Sequence, residues 1–307
     1  MFKNAKVMFL YTESSLHCGS GTSLGVIDLP IQREKYTDYP VCQASGVKGV
    51  VREWFENKHG DNDQRIKYTF GPDFNRGDSD AHAGAATFTD ARLLLFPVRS
   101  LNRVFAFTTS RFALSRLKRD LTMAGVNVDW AIPAELGDKI VGDKDCKIKD
   151  NNNKVVLEEY TFDFQSDDNV EAIAEWIADN AIPKGAEYNF WRNKVKTDLL
   201  ILPENAFRDF VKLSTEVQAR IRIKNETKTV DKGALFYEEA LPSDSLLYSV
   251  VMAHDPACGE KARPEGLKTS DDVVTFLSGI DAQRLQFGGD ATIGKGIVNV
   301  NFLNGRK

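Results

Sequence analysis

Hydrophobic patterning predicts a strand and then a long helix in the first 60 residues. A short run of extended character, AKVMFLYT (5–12), leads directly into a glycine-rich loop. Further on, apolar side chains recur at the spacing of one helical face, at Val47, Val50, Val51, Trp54 and Phe55. The pattern predicts a helix over 46–60, with Ser45 and Gly46 capping its start and Gly60 just beyond its end.

Three further elements follow from the same kind of pattern. The run 86–98 reads as a buried strand with Pro97 near its end. Residues 110–125 predict a second helix with Leu114, Leu117 and Leu121 facing inward and Gly125 as its stop signal. Residues 166–183 predict a third helix, capped by Asp167 or Asp168, that buries Val170, Ile173, Ala174 and Ile177.

The remaining pattern predicts hairpins, an insertion and a closing strand. Residues 142–165 suggest a hairpin around DNNNK (150–154), and 221–242 a second hairpin that turns near NETK or DKG. The polar, turn-rich stretch 56–84 is expected to be an exposed insertion. Near the end, a glycine-rich loop precedes an alternating strand with Val298, Val300 and Phe302 on one side.

These elements favour the α+β class. Helices do not alternate with strands in the regular order of a doubly wound fold, and no internal repeat is evident. We therefore expect an antiparallel sheet with helices on one face and long insertions. A chain of 307 residues can bury a large core as one domain or two.

Composition narrows the class of protein. The chain is 42% hydrophobic and 27% charged, as in ordinary globular proteins, and has no apolar run long enough to cross a bilayer. Its four cysteines show no paired spacing, which argues against a disulfide framework or a zinc ribbon and suits the cytoplasm. With a net charge of −4, any polyanion site must come from local clusters of cations.

Two glycine-rich loops carry the candidate chemistry. The first, GSGTSLG (19–25), lacks the Gly-Lys-Ser/Thr ending of a phosphate-binding loop and the dinucleotide fingerprint. The second, GGDATIGKG (288–296), precedes a strand instead of opening a helix. Each loop is therefore either a phosphate cradle or a tight turn that needs positive φ.

Cations lie close to these loops in the sequence. Lys48 and Arg52 are four residues apart near the start of the predicted first helix, where unpaired amides favour anions. Arg33 and Lys35 lie just upstream. The arrangement is either a solvated charged face or a grip on an extended phosphate backbone.

Three stretches resemble one known family. They are HCGSGTSLGVIDLPIQREKYTDYPV with GVKGVVREWF, GAATFTDARLLLFPVRSLNRVFAFTTSRFALSRLKRDL, and LQFGGDATIGKGIV. Together they resemble the RAMP superfamily of CRISPR-associated proteins, and within it the repeated backbone subunit of type III-B Cmr effector complexes. The similarity follows the order of nearly the whole chain, and the polar insertion and DKDCKIKDNNNK match least.

The resemblance implies a fold and an assembly. It implies a single domain over 1–307 with an RRM-like (ferredoxin-like) core, described as a palm with fingers and a thumb hairpin at about 221–242. Copies would stack along a CRISPR RNA beside other Cmr subunits, and complementary target RNA would be cut next to each thumb. The protein would then be an endoribonuclease that needs a divalent cation, Mg²⁺ or Mn²⁺.

The resemblance also assigns residues. Asp28, at the end of the first loop, would be catalytic and hold the metal, with His17 beside it and Glu238 and Glu239 as possible support. The guide RNA would contact Lys48 and Arg52, which match basic positions of the family. Arg33 and Lys35, from their place just upstream, are further candidate RNA contacts, and so is the second loop at Gly288, Gly289, Gly294, Lys295 and Gly296. The lead CQASGV differs from the Pro-Gly-Ser-Ser-Leu type of the family, which affects the guide contacts of that turn.

Plainer readings remain open for each residue. Asp28 can be a loop cap, His17 can pack beside Leu16 or bond a backbone carbonyl, and Glu238 and Glu239 can be charges at a strand edge. For the whole protein, the alternatives are a guide-binding scaffold that does not cut and an enzyme acting on a small phosphate ligand without RNA.

Overall fold

The computed structural model describes residues 2–72, 82–134, 137–230 and 235–303. Within these ranges the chain forms fourteen strands and seven α-helices. The strands are β1 (Asn4–Thr12), β2 (Val41–Cys42), β3 (Ala86–Phe88), β4 (Ala91–Arg99), β5 (Phe105–Ser110), β6 (Ile140–Gly142), β7 (Lys154–Leu157), β8 (Tyr160–Ser166), β9 (Leu199–Leu202), β10 (Glu216–Arg220), β11 (Phe236–Ala240), β12 (Leu246–Ala253), β13 (Gln283–Gln286) and β14 (Ile297–Phe302). The helices are α1 (Ala44–His59), α2 (Gln64–Phe70), α3 (Arg111–Met123), α4 (Asn169–Asn180), α5 (Asn189–Asp198), α6 (Glu204–Leu213) and α7 (Ser270–Leu277).

Twelve of the strands form one mostly antiparallel sheet. Its main path runs β13-β14-β1-β12-β4-β5-β9-β6-β8-β7, with β2 paired to β4 and β3 paired to β12. Among these pairs only β5–β9 and β6–β8 are parallel. β10 and β11 form a separate antiparallel pair. The architecture is therefore a mixture of helices with a large antiparallel sheet, as the α+β prediction requires.

Helices cover both faces of the central strands, so the prediction of one covered face is wrong. In β1, Met8 and Leu10 belong to one hydrophobic cluster with α1, α2, α6 and α7, whereas Val7 and Phe9 belong to another with α3, α4 and α5. β1 is apolar at successive positions, which is the pattern of a strand buried on both sides.

The helix α1 is confirmed, but its start differs from the prediction. Val47, Val51 and Phe55 are buried, and Gly60 ends the helix with φ of 85°. The N-cap is Gln43, so Ser45 and Gly46 lie inside the first turn. The first amide of the helix, that of Ala44, donates to Asp90 Oδ1 at 2.8 Å. A cap supplied from 46 residues away is invisible to local sequence signals.

The other predicted elements are largely present. The segment 86–98 is interrupted at Thr89 and Asp90, which separate β3 from β4. The helix α3 begins after Ser110, whose side chain accepts from the Ala113 amide, and buries its three predicted leucines. Before α4 the N-cap position is Asp168, but the carboxylate that accepts a helix amide, from Asn169 at 2.9 Å, is that of Asp167.

The predicted exposed insertion contains a packed helix. Residues 64–70 form α2, which buries Ile66 and Phe70 in the same cluster as Phe55. The exposed reading of 56–84 is therefore wrong for α2, because two apolar side chains among many polar ones are enough to anchor a short helix. Residues 73–81 of that stretch lie outside the described residues.

The first predicted hairpin is displaced along the chain. Asp150 accepts hydrogen bonds from the amides of Asn152 and Lys154, both at 2.8 Å. These bonds form a local turn that precedes β7 and does not connect two paired strands. The hairpin turn joins β7 to β8 through Glu158, with φ of 51°.

The second predicted hairpin is present with a longer base. β10 pairs with β11 from Glu216 opposite Ala240 to Arg220 opposite Phe236, so the pairing begins five residues before position 221. The turn near NETK is confirmed, because the Lys228 amide donates to the Lys224 carbonyl at 2.9 Å. The alternative turn at DKG lies outside the described residues.

No helix in the described ranges is long and apolar enough to cross a membrane.

We expect Phe55→Ala to lower the free energy of unfolding by about 3–5 kcal/mol, because it removes a buried aromatic ring from the core. Phe55 is 1% exposed, and its ring lies 4.4 Å from that of Phe276 between centroids. Chemical denaturation followed by fluorescence measures the change. Phe190→Ala on α5 is the matched control, since Phe190 is 63% exposed and its loss should cost no more than about 0.5 kcal/mol. Equal costs for the two variants would contradict the assignment of Phe55 to the core.

Candidate functional site

The carboxylate of Asp28 is fixed against the β10–β11 hairpin. Asp28 Oδ2 accepts from the Tyr237 amide at 2.7 Å. In return, the Tyr237 carbonyl accepts from the amides of Asp28 at 3.1 Å and Leu29 at 3.0 Å. The end of the first glycine loop therefore lies along the edge of β11 that β10 does not use.

The His17 ring is held by the same strand. Its Nδ1 lies 2.6 Å from the carbonyl oxygen of Glu239, and the residue is 9% exposed. A carbonyl only accepts hydrogen bonds, so Nδ1 carries a proton and, in the neutral ring, Nε2 is the acceptor. A Cβ atom at Gly19 would lie 2.6 Å from Nε2, so glycine is needed there for the ring to fit. His17 does bond a backbone carbonyl, as the plainer reading proposed, and this bond fixes its orientation.

Asp28 and His17 are thereby aligned along one strand edge. Their partners, Tyr237 and Glu239, are two residues apart on β11, and both offer main-chain atoms on the same side. Two residues of a strand span about 7 Å. The structure therefore brings together the two residues that the sequence placed at a common site.

The carboxylates of Glu238 and Glu239 are buried, at 3% and 2% exposure, and are not solvated charges at a strand edge. Glu239 Oε1 accepts from Thr215 Oγ1 at 2.7 Å and Oε2 accepts from the Ile31 amide at 3.0 Å. Arg33 completes its neutralisation with a short charged hydrogen bond. Glu239 thus anchors the segment after Asp28 to the hairpin.

Glu238 is neutralised from the other side. Arg220 Nε donates to Glu238 Oε2 at 2.7 Å, and Arg220 Nη2 donates to Asp290 Oδ2 at 3.1 Å. Lys295 Nζ lies 3.8 Å from the same Glu238 oxygen. Arg220 therefore bridges the carboxylates of Glu238 and Asp290.

The second glycine loop packs directly on His17. The Gly289 amide donates to the His17 carbonyl at 2.9 Å. Gly288 has φ of 71°, and a Cβ there would overlap the same carbonyl oxygen. Gly296, with φ of 74°, would similarly overlap the Phe287 carbonyl, whereas Gly294 faces open space in a left-handed turn. The interpretation of this loop as a tight turn that needs positive φ is thus correct at Gly288, Gly294 and Gly296. The same loop also forms a wall of the site.

A cleft of about 270 Å³ separates the two loops from the start of α1. Gly19, Gly46, Val50 and Gly289 are among its lining residues. The sequence placed all three segments in the candidate site, and the structure makes them neighbours.

The predicted guide-binding cations differ in whether their side chains are already paired within the protein. The ammonium group of Lys48 has no hydrogen bond or ion pair within the described part of the chain, and partial burial together with the charge of Arg52 lowers its pKa. Arg52 Nε donates to Glu56 at 2.7 Å and its Nη1 to the Gly71 carbonyl at 3.2 Å. Lys35 is exposed in a turn.

Two other predicted cations face inward. Arg33 donates to the carbonyls of Asp38 at 2.7 Å and Val211 at 2.9 Å, besides its bond with Glu239. Lys295 is 6% exposed beside Glu238. Both contribute positive charge that neutralises the buried glutamates.

The prediction that the cysteines do not pair is wrong for Cys18 and Cys42. These two residues form a disulfide, with Cα atoms 5.9 Å apart. Their separation of 24 residues gave no signal, but the strand-like contacts of Gln32 with both Cys18 and Val41 bring them together. The disulfide joins the first glycine loop to the segment that enters α1.

The described residues contain no cluster of three or more His, Cys, Asp or Glu side chains with the geometry of a metal site. Asp28 offers one carboxylate, and its only side-chain hydrogen bond among these residues uses Oδ2. Mg²⁺ is commonly bound by one or two carboxylates together with substrate phosphates and water. The donor set of Asp28 fits such a shared site, not a cage built by this chain alone.

Sequence reasoning missed three contributors to the site. They are Arg220, Asp290 and the main chain of Tyr237. Asp290 stands inside the second loop, where an acid among glycines was a visible signal. Arg220 and Tyr237 act through a pairing of β10 with β11 that only the folded chain reveals.

Comparison with known proteins identifies the family. The model of the RAMP superfamily matches residues 9–299. The CRISPR system Cmr endoribonuclease Cmr4 of Pyrococcus furiosus is 40% identical over 297 residues, which are 96% of this chain and 95% of that protein.

Solved structures share the fold. The crystal structure of oligomeric Cmr4 from Pyrococcus furiosus superimposes with a TM-score of 0.74 at 32% identity, over 99% of both chains. A chain of the type III-B Cmr-beta complex bound to cognate target RNA has the same fold, with a TM-score of 0.72 at 22% identity over 98% of both chains. The chain therefore belongs to the RAMP superfamily, and within it to the Cmr4 family of CRISPR systems.

Proposed function

We propose that this protein is the repeated backbone subunit of a type III-B CRISPR effector complex, binding CRISPR RNA along its phosphate backbone and cutting complementary target RNA at regular intervals. The observation that carries the proposal is the Asp28 carboxylate, fixed through Oδ2 on the edge of β11 in a chain 40% identical to an endoribonuclease. In the runner-up, a scaffold of the same complex that does not cut, this carboxylate would serve only to accept the Tyr237 amide.

The chemistry needs few protein groups because RNA carries its own nucleophile. Once it is aligned and loses its proton, the 2′-hydroxyl attacks the adjacent phosphorus. The P–O5′ bond breaks, which leaves a 2′,3′-cyclic phosphate and releases the next nucleotide with its 5′-oxygen protonated. Asp28 is the proton acceptor or orients the reacting group, and a general base of this kind contributes about 10²- to 10⁴-fold. His17, whose ring is fixed by the Glu239 carbonyl, faces the phosphate or helps to align it.

The β10–β11 hairpin and its continuation to residue 242 serve as the thumb that separates target nucleotides next to Asp28. Both glutamates lie on β11, the strand that bonds Asp28. A target opened at the hairpin is therefore placed beside the Asp28 carboxylate. The large sheet corresponds to an RRM-like palm enlarged by insertions. Copies of the chain stack head to tail along the guide, consistent with the oligomeric crystal structure of the relative. Such an assembly forms where CRISPR RNA is made, in the cytoplasm, with other Cmr subunits.

A divalent cation, Mg²⁺ or Mn²⁺, is part of this proposal. When bound, it would neutralise charge that develops on the phosphate. Asp28 would supply one oxygen ligand. The chain itself fixes that carboxylate, and Glu238 and Glu239 support the strand that holds it without reaching the RNA.

The guide RNA runs along the cleft between the two glycine loops and α1. Lys48, which lacks a protein partner among the described residues, is the leading phosphate contact, and Lys35 adds an exposed charge. The glycines of the second loop let the backbone approach closely, and Arg52 contributes from within its pair with Glu56. Arg33 and Lys295 act indirectly, by neutralising the glutamates behind the site.

We expect Asp28→Asn to lower the rate of target cleavage by roughly 10²- to 10⁴-fold, because the neutral amide cannot take up the proton and is a weaker ligand for a cation than a carboxylate. The assembled complex is given labelled complementary RNA, and cleavage and target affinity are measured separately. Affinity and assembly should persist. Asp163→Asn on β8 is the control, since that carboxylate is exposed and pairs only with Lys154 among the described residues. Unchanged cutting by the Asp28 variant would leave the scaffold as the correct assignment.

We expect chelation of divalent cations with EDTA to stop cleavage while the complex still binds its target. Adding back Mg²⁺ or Mn²⁺ should restore cutting. The measurement is a cleavage time course alongside a binding titration in the same buffer. Full activity after exhaustive chelation would exclude the metal from the proposal.

We expect Lys48→Ala to weaken guide binding for all sequences alike and to reduce the slope of log affinity against log salt by about 1. Arg52→Ala should act in the same direction but less, because its guanidinium is already paired with Glu56. Filter binding at several salt concentrations measures both slopes. Lys196→Ala, which removes an exposed pair with Asp179, is the control. A slope unchanged in the Lys48 variant would remove Lys48 from the guide interface.

A further inference from the structure

Arg220 links two parts of the site that are far apart in sequence. It stands at the end of β10, and its guanidinium divides between Glu238 on β11 and Asp290 in the second glycine loop, with N–O distances of 2.7 and 3.1 Å. A fork of fixed geometry holds two carboxylates more rigidly than a single ammonium group does. Arg220 therefore ties the hairpin to the loop that packs on His17.

Glu238 depends on this link. Its carboxylate is 3% exposed, and a buried charge needs both a counter-charge and hydrogen bonds. Lys295 Nζ supplies charge at 3.8 Å but has no hydrogen-bond partner among the described residues, and His17 Nδ1 lies 3.9 Å away. Within the same residues, the side-chain donor at bonding distance from Glu238 is Arg220.

Asp290 is held in the same way. Its backbone is left-handed, with φ of 63°, and its Oδ2 accepts a hydrogen bond from Arg220 Nη2 at 3.1 Å. Two carboxylates this close would repel or share a proton if the guanidinium were removed. The second loop would then lose its attachment to the hairpin.

The link leads directly to Asp28. Tyr237 precedes Glu238 on β11 and pairs across the hairpin with Ala219, the neighbour of Arg220. The main chain of Tyr237 bonds both the Asp28 carboxylate and the Asp28 amide. The His17 ring bonds β11 at the Glu239 carbonyl, whereas its main-chain carbonyl bonds Gly289 of the second loop. A shift of β11 relative to that loop therefore displaces Asp28 from the loop and pulls the His17 ring away from its own main chain.

We propose that Arg220 is a positioning residue for RNA cleavage, which fixes the edge of β11 against the second glycine loop through Glu238 and Asp290 and so sets the place of Asp28. The inference rests on the proposed function, since it assigns Arg220 a part in the reaction of Asp28. Arg220 itself touches neither the reacting phosphate nor the 2′-hydroxyl.

The test compares complexes assembled with wild-type protein, R220Q, R220K, D290N and D28N, with R208Q as the matched control. Arg208 forms an exposed pair with Asp209 on α6, so R208Q removes an arginine–carboxylate pair without touching the site. Single-turnover cleavage is measured at saturating target, and target affinity is measured separately. This split distinguishes misplacement of Asp28 from loss of RNA binding.

We expect R220Q to cleave roughly 10- to 100-fold more slowly, because a misplacement of about 1 Å has a cost of that order, with target affinity within about twofold of wild type. R220K should recover part of the rate, since it restores the charge but not the fork. D290N should slow cleavage in the same direction, and the R220Q, D290N double variant should be no slower than R220Q. R208Q should match wild type. D290N and R220K keep the test decisive if R220Q does not fold.

Wild-type cleavage by R220Q or by D290N would overturn the inference. So would a loss of target affinity that accounts for the whole defect of R220Q, because Arg220 would then be an RNA contact. D28N distinguishes a failure of the proposed function from a failure of the role of Arg220. If D28N is inactive while R220Q cuts normally, only the role of Arg220 fails. If D28N cuts at the wild-type rate, the proposed function fails instead.

Discussion

The hydrogen bonds along the outer edge of β11 are the constraint on which the site depends. Residues 28–31 lie against this edge, with the Glu239 amide donating to the Leu29 carbonyl at 3.0 Å and the Ile31 amide bonded to the Glu239 side chain. His17 occupies the next position of the same edge. A glycine-rich loop has little conformational preference of its own, so the Asp28 carboxylate is placed by this pairing and not by the loop sequence.

The strand β11 carries two carboxylates that are buried. Glu238 and Glu239 are adjacent, so their side chains point to opposite sides of β11. Each meets its own arginine, Arg220 for one and Arg33 for the other. Burial without these partners would cost several kcal/mol for each carboxylate, so the charge pairs and the strand position stabilise one another.

Much of the fold and site was accessible from sequence because the signals were local or strongly periodic. The apolar stripe of α1 and the leucines of α3 each act within one helix. The candidate residues His17 and Asp28 converge as expected. What failed depended on long-range contacts: the disulfide of Cys18 with Cys42, the cap that Asp90 gives to α1, and the inward orientation of Arg33 and Lys295. From sequence alone, an arginine or lysine that pairs with a buried carboxylate cannot be distinguished from one that is exposed and available to bind RNA.

The hydrophobic layers on the two sides of β1 and β12 have a consequence for how RNA is read. Modules that lay nucleobases on an open sheet use its bare aromatic surface to distinguish them. Here helices occupy both surfaces of the central strands. In the proposed function, contact with a polynucleotide therefore falls to loops, a hairpin and isolated cations. Such a surface senses the course of the sugar–phosphate chain and is indifferent to base identity. One protein sequence can therefore serve guides of any sequence, with Watson–Crick pairing left to choose the target.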